Sequence, residues 1–225
     1  MSALCYFAIA EDLEDFILKW MTVEIDASSA ASNERQPHQW RGALLRELMI
    51  AQAFHAGGRS LDIALNTLFR ASDLREQSSS SSSARHLSLF PAVVQLSNLL
   101  KTGNWFRTDP RLFERLQSMN ISEMEKRKEQ KGLDAAWSIA SLALYHPKQP
   151  DAKLAVKYLQ ERERQRGSAP SAKLARNAYK TFLLRTRAVA ATNNEHENAA
   201  WVIQEYERLF GESIPPRNRL AIAVR

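Results

Sequence analysis

The chain has 225 residues and a formal net charge of +6 at pH 7, with 44% hydrophobic and 25% charged residues. This composition is close to the globular average, so it excludes a wholly disordered chain. No apolar run approaches the roughly 18 residues that a membrane-spanning helix needs, so the sequence predicts no integral membrane association. The moderate basic excess fits nucleic acid, acidic proteins or anionic surfaces and does not select among them.

Apolar residues recur at intervals of three and four, which predicts an all-α protein of about eight or nine helices. Residues 3–25 predict one amphipathic helix. Two apolar stripes follow, at 40–54 and 61–69, and Gly57 with Gly58 marks the turn between them. A turn this short predicts that the two helices are antiparallel neighbours.

Proline and aspartate positions mark the next two helices. Residues 86–101 predict a helix that begins near Pro91, where proline is tolerated in a first turn. In the second helix, Asp109 is the predicted N-cap and Pro110 the predicted first helical residue.

The remaining elements are also helical. Residues 122–144 predict either one long helix or two helices broken near Gly132. Asp151 predicts the N-cap of the following helix. The last pair is predicted from residue 171 to about 191 and from about 195 to 210.

A run of six serines at 78–83 marks the predicted domain boundary. Serine side chains bury no apolar surface, so this run predicts a flexible linker. The predicted organisation is an N-terminal region with the first hairpin at 1–77, a linker at 78–85 and C-terminal hairpins at 86–225.

The predicted second helix of each pair recurs at a regular spacing. Its landmarks are Ala64, Asp109 with Pro110, Ala155 and Ala200, which gives a period of about 45 residues. A period of this length predicts stacked antiparallel helical hairpins in a short α-solenoid. An irregular helical bundle with evenly spaced segments is the alternative.

Two segments carry a family resemblance. The segment LMIAQAFHAGGRSLDIALNTLFRAS, residues 48–72, resembles a tetratricopeptide-type hairpin, with small Ala51, aromatic Phe54 and Ala64 near the positions that such repeats use. AWSIASLALYHPKQPDAKLAVKYLQ, residues 136–160, is similar to it. The resemblance covers about a quarter of the chain and implies hairpin architecture. It also implies a protein-binding scaffold, or RNA binding in an organelle if the related pentatricopeptide-like proteins are the nearer relatives.

A cationic stripe on two successive predicted helices is the candidate binding site. Lysines and arginines there recur at helical spacing beside apolar residues, and stacking of the two helices would merge them into one basic face suited to phosphates or an acidic peptide. A solvated surface is the alternative interpretation. The candidate residues are Lys153, Lys157, Arg164, Lys173, Arg176, Lys180 and Arg187.

The sequence offers no catalytic motif. It lacks a glycine-rich phosphate loop, a nucleophile elbow and paired carboxylates beside a histidine. Five scattered histidines and the single Cys5 lack zinc-ligand spacing. We therefore expect a protein that is not an enzyme and needs no cofactor or metal.

The predicted function is a helical-repeat interaction module or adaptor. It would bind an acidic or helical segment of a partner protein in the groove between hairpins. The alternative is an RNA-binding repeat protein that uses the basic face of residues 153–187, in an organelle. A single cysteine favours a reducing, intracellular compartment, the cytoplasm first and the mitochondrion or nucleus as alternatives.

Overall fold

The computed structural model describes residues 2–23, 39–55, 59–77, 87–102, 105–127, 135–166 and 173–214. All regular secondary structure in these ranges is helical, which confirms the all-α prediction. Contacts divide the chain into unit 1, Met1–Glu129, and unit 2, Gln130–Arg225. The helices of the described ranges are α1 Ser2–Ala10, α2 Glu14–Thr22, α3 Gln39–His55, α4 Asp62–Gln77, α5 Phe90–Lys101, α6 Pro110–Glu125, α7 Ala135–Ala143, α8 Lys153–Arg166, α9 Lys173–Thr192 and α10 His196–Phe210.

The prediction of one helix over residues 3–25 is wrong, because two short helices replace it. Asp12 has a φ of 55°, a left-handed conformation that a helix interior does not contain but that aspartate tolerates. The Leu13 amide donates to the Ala8 carbonyl at 2.6 Å, which folds the chain back at this point. α1 and α2 therefore pack against each other as a further hairpin, and the helix count in the described ranges is ten.

In unit 1 the helices pack in two rows. The first helices of the hairpins, α1, α3 and α5, contact one another in order, and so do the second helices, α2, α4 and α6. Large apolar side chains from both rows are buried. Fully buried examples are Leu44, Leu48, Leu65, Leu68, Leu96 and Phe113. Each helix thus contacts its equivalent in the next hairpin, as in stacked hairpins.

Hydrogen bonds also join the turns of neighbouring hairpins in unit 1. The Leu61 amide donates to Oγ1 of Thr108 at 3.1 Å, and the Asp109 amide donates to a carboxylate oxygen of Asp62 at 2.8 Å. Both bonds connect residues 47 positions apart. This separation is close to the predicted repeat of about 45 residues.

Unit 2 consists of the α7–α8 and α9–α10 hairpins, and α8 also contacts both α9 and α10. Its core includes Leu144, Leu159, Leu183 and Tyr206. The Asn193 side-chain amide donates to the Pro150 carbonyl at 2.8 Å, so the turns of these two hairpins are also joined, across 43 residues.

The second helices of the five hairpins are evenly spaced along the sequence. They begin 48, 48, 43 and 43 residues apart, which agrees with the predicted spacing of about 45. A continuous solenoid through the whole chain and the tetratricopeptide resemblance stay predictions. The first residues of these helices are Glu14, Asp62, Pro110, Lys153 and His196.

Local signals placed several helix ends correctly. The Asp109 side chain accepts from the Arg111 amide at 2.8 Å as the N-cap of α6, and Asp151 accepts from the Lys153 amide at 2.8 Å at the start of α8. Of the two alternatives for residues 122–144, the structure has the two helices α6 and α7. Gly57, Gly58 and Gly132 lie outside the described residues.

The division into units differs from the predicted one. The serine run and the linker at 78–85 lie outside the described residues. α3 and α4, before the run, pack against α5 and α6, after it, so these four helices share one core. The contact boundary therefore falls at 129–130, beyond α6.

Candidate functional site

Three of the predicted basic-face residues lie on α8. Lys153 and Lys157 are exposed, and no ion pair engages either of them among the described residues. Arg164 is also exposed and lies 3.9 Å from the Glu161 carboxylate, one turn earlier on the helix. Exposed pairs of this kind add little to stability.

The α9 cations face α10. The Arg176 guanidinium lies 5.3 Å and the Lys180 ammonium 5.6 Å from the centroid of the Phe210 ring. Lys180 also donates to Glu212 at 2.5 Å. This hydrogen bond raises the pKa of the Lys180 ammonium and lowers the pKa of the Glu212 carboxyl. Arg176 and Lys180 are thus brought together over an aromatic ring, where cation–π attraction holds them.

The described contacts do not merge the predicted cations into one group. None of them joins Arg176 or Lys180 to the α8 cations. Arg187 is half-buried on α9, and the Lys173 side chain lies outside the described residues. The single basic face stays a prediction.

Aromatic side chains in unit 2 pack into the core. The Trp137 ring centroid lies 4.3 Å from that of Phe182 and 5.8 Å from that of Tyr179. Arg162 covers the Tyr179 ring at 4.8 Å and donates to the Tyr158 hydroxyl at 3.0 Å. Burial raises the pKa of Tyr179 to about 12. This cluster joins α7, α8 and α9, and Arg162 packs against its tyrosines.

Trp105 and Phe106, which precede Arg107, also make contacts within unit 1. Trp105 is buried, and its indole N–H donates to Thr102 Oγ1 at 3.2 Å. Phe106 is half-buried, with the Arg59 guanidinium 5.4 Å from its ring centroid. The Phe106–Arg59 contact joins the turn of the third hairpin to that of the second.

The most exposed apolar surface described lies on the first hairpin, which the sequence reading did not single out. On α1, Phe7 is 72% exposed and Leu4 47%. From the N-cap to the C-cap of α2, an exposed row of apolar residues follows at intervals of three, four and three positions. The row consists of Leu13 at 50%, Phe16 at 67%, Trp20 at 45% and Val23 at 53%. We call these six residues the α1–α2 apolar face.

Both helices are apolar on more than one side. α1 buries Cys5 and Ala8 and exposes Leu4 and Phe7. On α2, the apolar side opposite the exposed row, which includes Ile17, is buried. A helix that is hydrophobic all round is normally covered on every side. The sequence SALCYFAIA carried this signal, because it holds no charged residue.

Charged groups surround the start of the α2 row. Glu11 and Asp12 are exposed in the turn before Leu13. Asp15 pairs with Arg70 of α4 at 2.6 Å. Lys19 is the one cation of residues 2–23, against four carboxylates. The face therefore has an acidic end.

Comparison of the chain with protein-family models, curated proteins and solved structures finds no match. No helix of the described ranges combines the length and the apolar character needed to cross a membrane. The same ranges contain no group of three or more His, Cys, Asp and Glu side chains placed to hold a metal ion.

Proposed function

We propose that this protein is a non-enzymatic interaction module built from helical hairpins, and that a partner protein docks on the α1–α2 apolar face. The observation that carries the proposal is the exposure of six large apolar residues on a hairpin whose opposite side is well packed. Large apolar side chains that are exposed close together on soluble proteins are normally buried against a partner.

The size of the face supports a macromolecular partner. A whole aromatic side chain has about 150–250 Å² of surface, so the exposed parts of Phe7, Phe16 and Trp20 amount to roughly 400 Å². The three aliphatic residues enlarge this area. An exposed apolar area of this size on one hairpin favours an interaction site, because its burial removes apolar surface from water.

Affinity purification with matched variants tests the proposal. We expect nuclease-treated lysate to yield a defined protein that is retained by the unaltered chain and lost by Phe7→Ser with Phe16→Ser. Both phenylalanines are largely exposed, so each substitution should change the free energy of unfolding by only about 0.5 kcal/mol. Circular dichroism and urea unfolding check that the variant is folded.

Lys153→Glu with Lys157→Glu is the matched control, because it also alters two exposed side chains. It should retain the protein partner. Equal retention of every partner by the phenylalanine variant and the unaltered chain would contradict the proposal.

The same purification without nuclease tests RNA binding, the alternative function. Exposed Lys153 and Lys157 favour this alternative, because a cation without an ion pair is free to contact a phosphate. RNA that co-purifies, is lost in Lys153→Glu with Lys157→Glu, and is released by salt would put the alternative first. Retention of the same RNA by that variant would count against the basic face.

A further inference from the structure

We propose that the segment docking on the α1–α2 apolar face is an amphipathic helix with basic residues at one end. This inference rests on the proposed function and adds the chemistry of the partner. It follows from the spacing of the apolar row and from the charges at its start.

The spacing of the row fits a helix. Leu13, Phe16, Trp20 and Val23 repeat at intervals of three, four and three, the heptad pattern by which one helix packs along another. α1 and α2 are helical, so they offer no strand edge to an extended peptide. Recognition must therefore come from side chains, and a second helix with apolar residues at the same spacing is complementary to the row.

The acidic residues beside Leu13 indicate that the partner helix has a basic end. Glu11 and Asp12 are exposed and Glu14 is half-buried, and none of the three is in an ion pair with a described residue. The Asp15 carboxylate is already paired with Arg70. A partner that was apolar along its whole length would desolvate the free carboxylates without replacing their hydration. Lysine or arginine beside Leu13 would pair with them instead.

The same charges disfavour a second copy of this chain as the occupant. In a two-fold interface each copy presents the same surface. If the rows of two copies packed in parallel, the carboxylates of Glu11, Asp12 and Glu14 would lie together and repel. If they packed antiparallel, each acidic start would lie beside the Val23 end of the other row, where Lys19 is the one cation that residues 2–23 supply. The net charge of residues 2–23 is −3, from four carboxylates and one lysine, although the whole chain carries +6.

Two synthetic helical peptides provide the test. They share a leucine row at heptad spacing and differ only in the first two turns, which carry lysines in one peptide and glutamates in the other. Fluorescence anisotropy with the full chain measures binding of each labelled peptide. We expect the lysine peptide to bind roughly tenfold tighter, the effect of two or three exposed ion pairs.

Glu11→Lys with Asp12→Asn should abolish or reverse this preference. Asparagine is chosen at position 12 because it tolerates the left-handed φ of 55°. The matched control, Glu207→Lys with Glu197→Gln, makes the same charge change on exposed positions of α10 and should keep the preference. Phe7→Ser with Phe16→Ser should bind neither peptide.

The outcomes separate this inference from the proposed function. Equal binding of both peptides that is lost in the phenylalanine variant would overturn the basic partner and leave the docking face intact. Equal binding that persists in the phenylalanine variant would overturn both. Binding of neither peptide would overturn the inference of a basic partner helix. Sedimentation of the full chain, which measures self-association, then tests the proposed function. Self-association that Phe16→Ser removes would identify a second copy as the occupant.

Discussion

Glu123 on α6 is only 5% exposed, and its carboxylate contacts two cations. Arg75 of α4 lies 3.4 Å away, and Lys126, one turn further along α6, lies 2.9 Å away. A buried carboxylate needs such partners, because desolvation otherwise outweighs its contribution. Glu123 therefore links the second helices of two successive hairpins.

We expect Glu123→Gln to lower the free energy of unfolding by about 1–3 kcal/mol, because it leaves the Arg75 guanidinium without its charged partner. Urea unfolding measures the change. Glu125→Gln is the control, since Glu125 is exposed on the same helix and should shift the value by only about 0.5 kcal/mol. Equal effects of the two substitutions would show that the buried ion pair contributes nothing.

Because of Tyr179, we expect the free energy of unfolding to depend on pH in the alkaline range. Its pKa of about 12 in the folded protein lies above the ordinary value of 10.0, because burial opposes the phenolate. The contribution of neutral Tyr179 to the free energy of unfolding is thus complete below pH 10. It is lost between about pH 10 and 12, because Tyr179 ionises in the unfolded chain at a lower pH than in the folded protein. The loss is on the order of 3 kcal/mol.

Urea unfolding at several pH values should show this fall in the unaltered chain and a flatter profile in Tyr179→Phe. Taking the difference between the two proteins cancels the titration of lysines in the same range. Parallel profiles would show that Tyr179 ionises as easily in the folded protein as in the unfolded chain.

At the scale of elements, Gly42 lets α3 approach the chain that leads into α5. A Cβ built at this position would lie 2.8 Å from the Ser88 carbonyl oxygen and 3.2 Å from its Cβ. Such distances are too short for a side chain, so glycine is required by the contact rather than by the helix. The neighbouring Arg41 is fully buried and donates to the Val23 carbonyl at 2.7 Å, which ties the start of α3 to the end of α2.

Gly42→Ala is expected to destabilise the protein by about 1–3 kcal/mol, as overpacked substitutions do. Helix propensity alone predicts the opposite sign, a gain of up to about 1 kcal/mol. Thermal or urea unfolding therefore decides between the two by sign. A more stable variant would mean that the approach of Ser88 relaxes at no cost.

At the scale of the whole molecule, charge is unevenly distributed along the chain. Residues 2–23 carry −3, so the rest of the chain carries +9 to give the total of +6. The two proposed binding surfaces therefore suit partners of opposite sign. The α1–α2 apolar face suits a basic helix, whereas exposed Lys153 and Lys157 suit phosphates or an acidic segment.

The helical class and many helix ends could be read from the sequence. Asp109 and Asp151 cap the helices that they were expected to cap, and the second helices begin at nearly the predicted spacing. These features depend on residues within one or two turns of each other. Capping, proline geometry and apolar periodicity are local and need no knowledge of the partner helix.

Only the tertiary structure decided where the first helix breaks and which side chains stay uncovered. The acidic turn after α1 is compatible with a continuous helix, and the reversal at Asp12 forms because both halves pack as a hairpin. Helical spacing grouped Arg176 with Lys180, but it did not show that α10 places Phe210 beneath them. Exposure of Phe7 and Phe16 likewise depends on helices elsewhere in the sequence. Burial is settled by contacts between residues 40 or more positions apart, such as Leu61 with Thr108, which a local pattern does not contain.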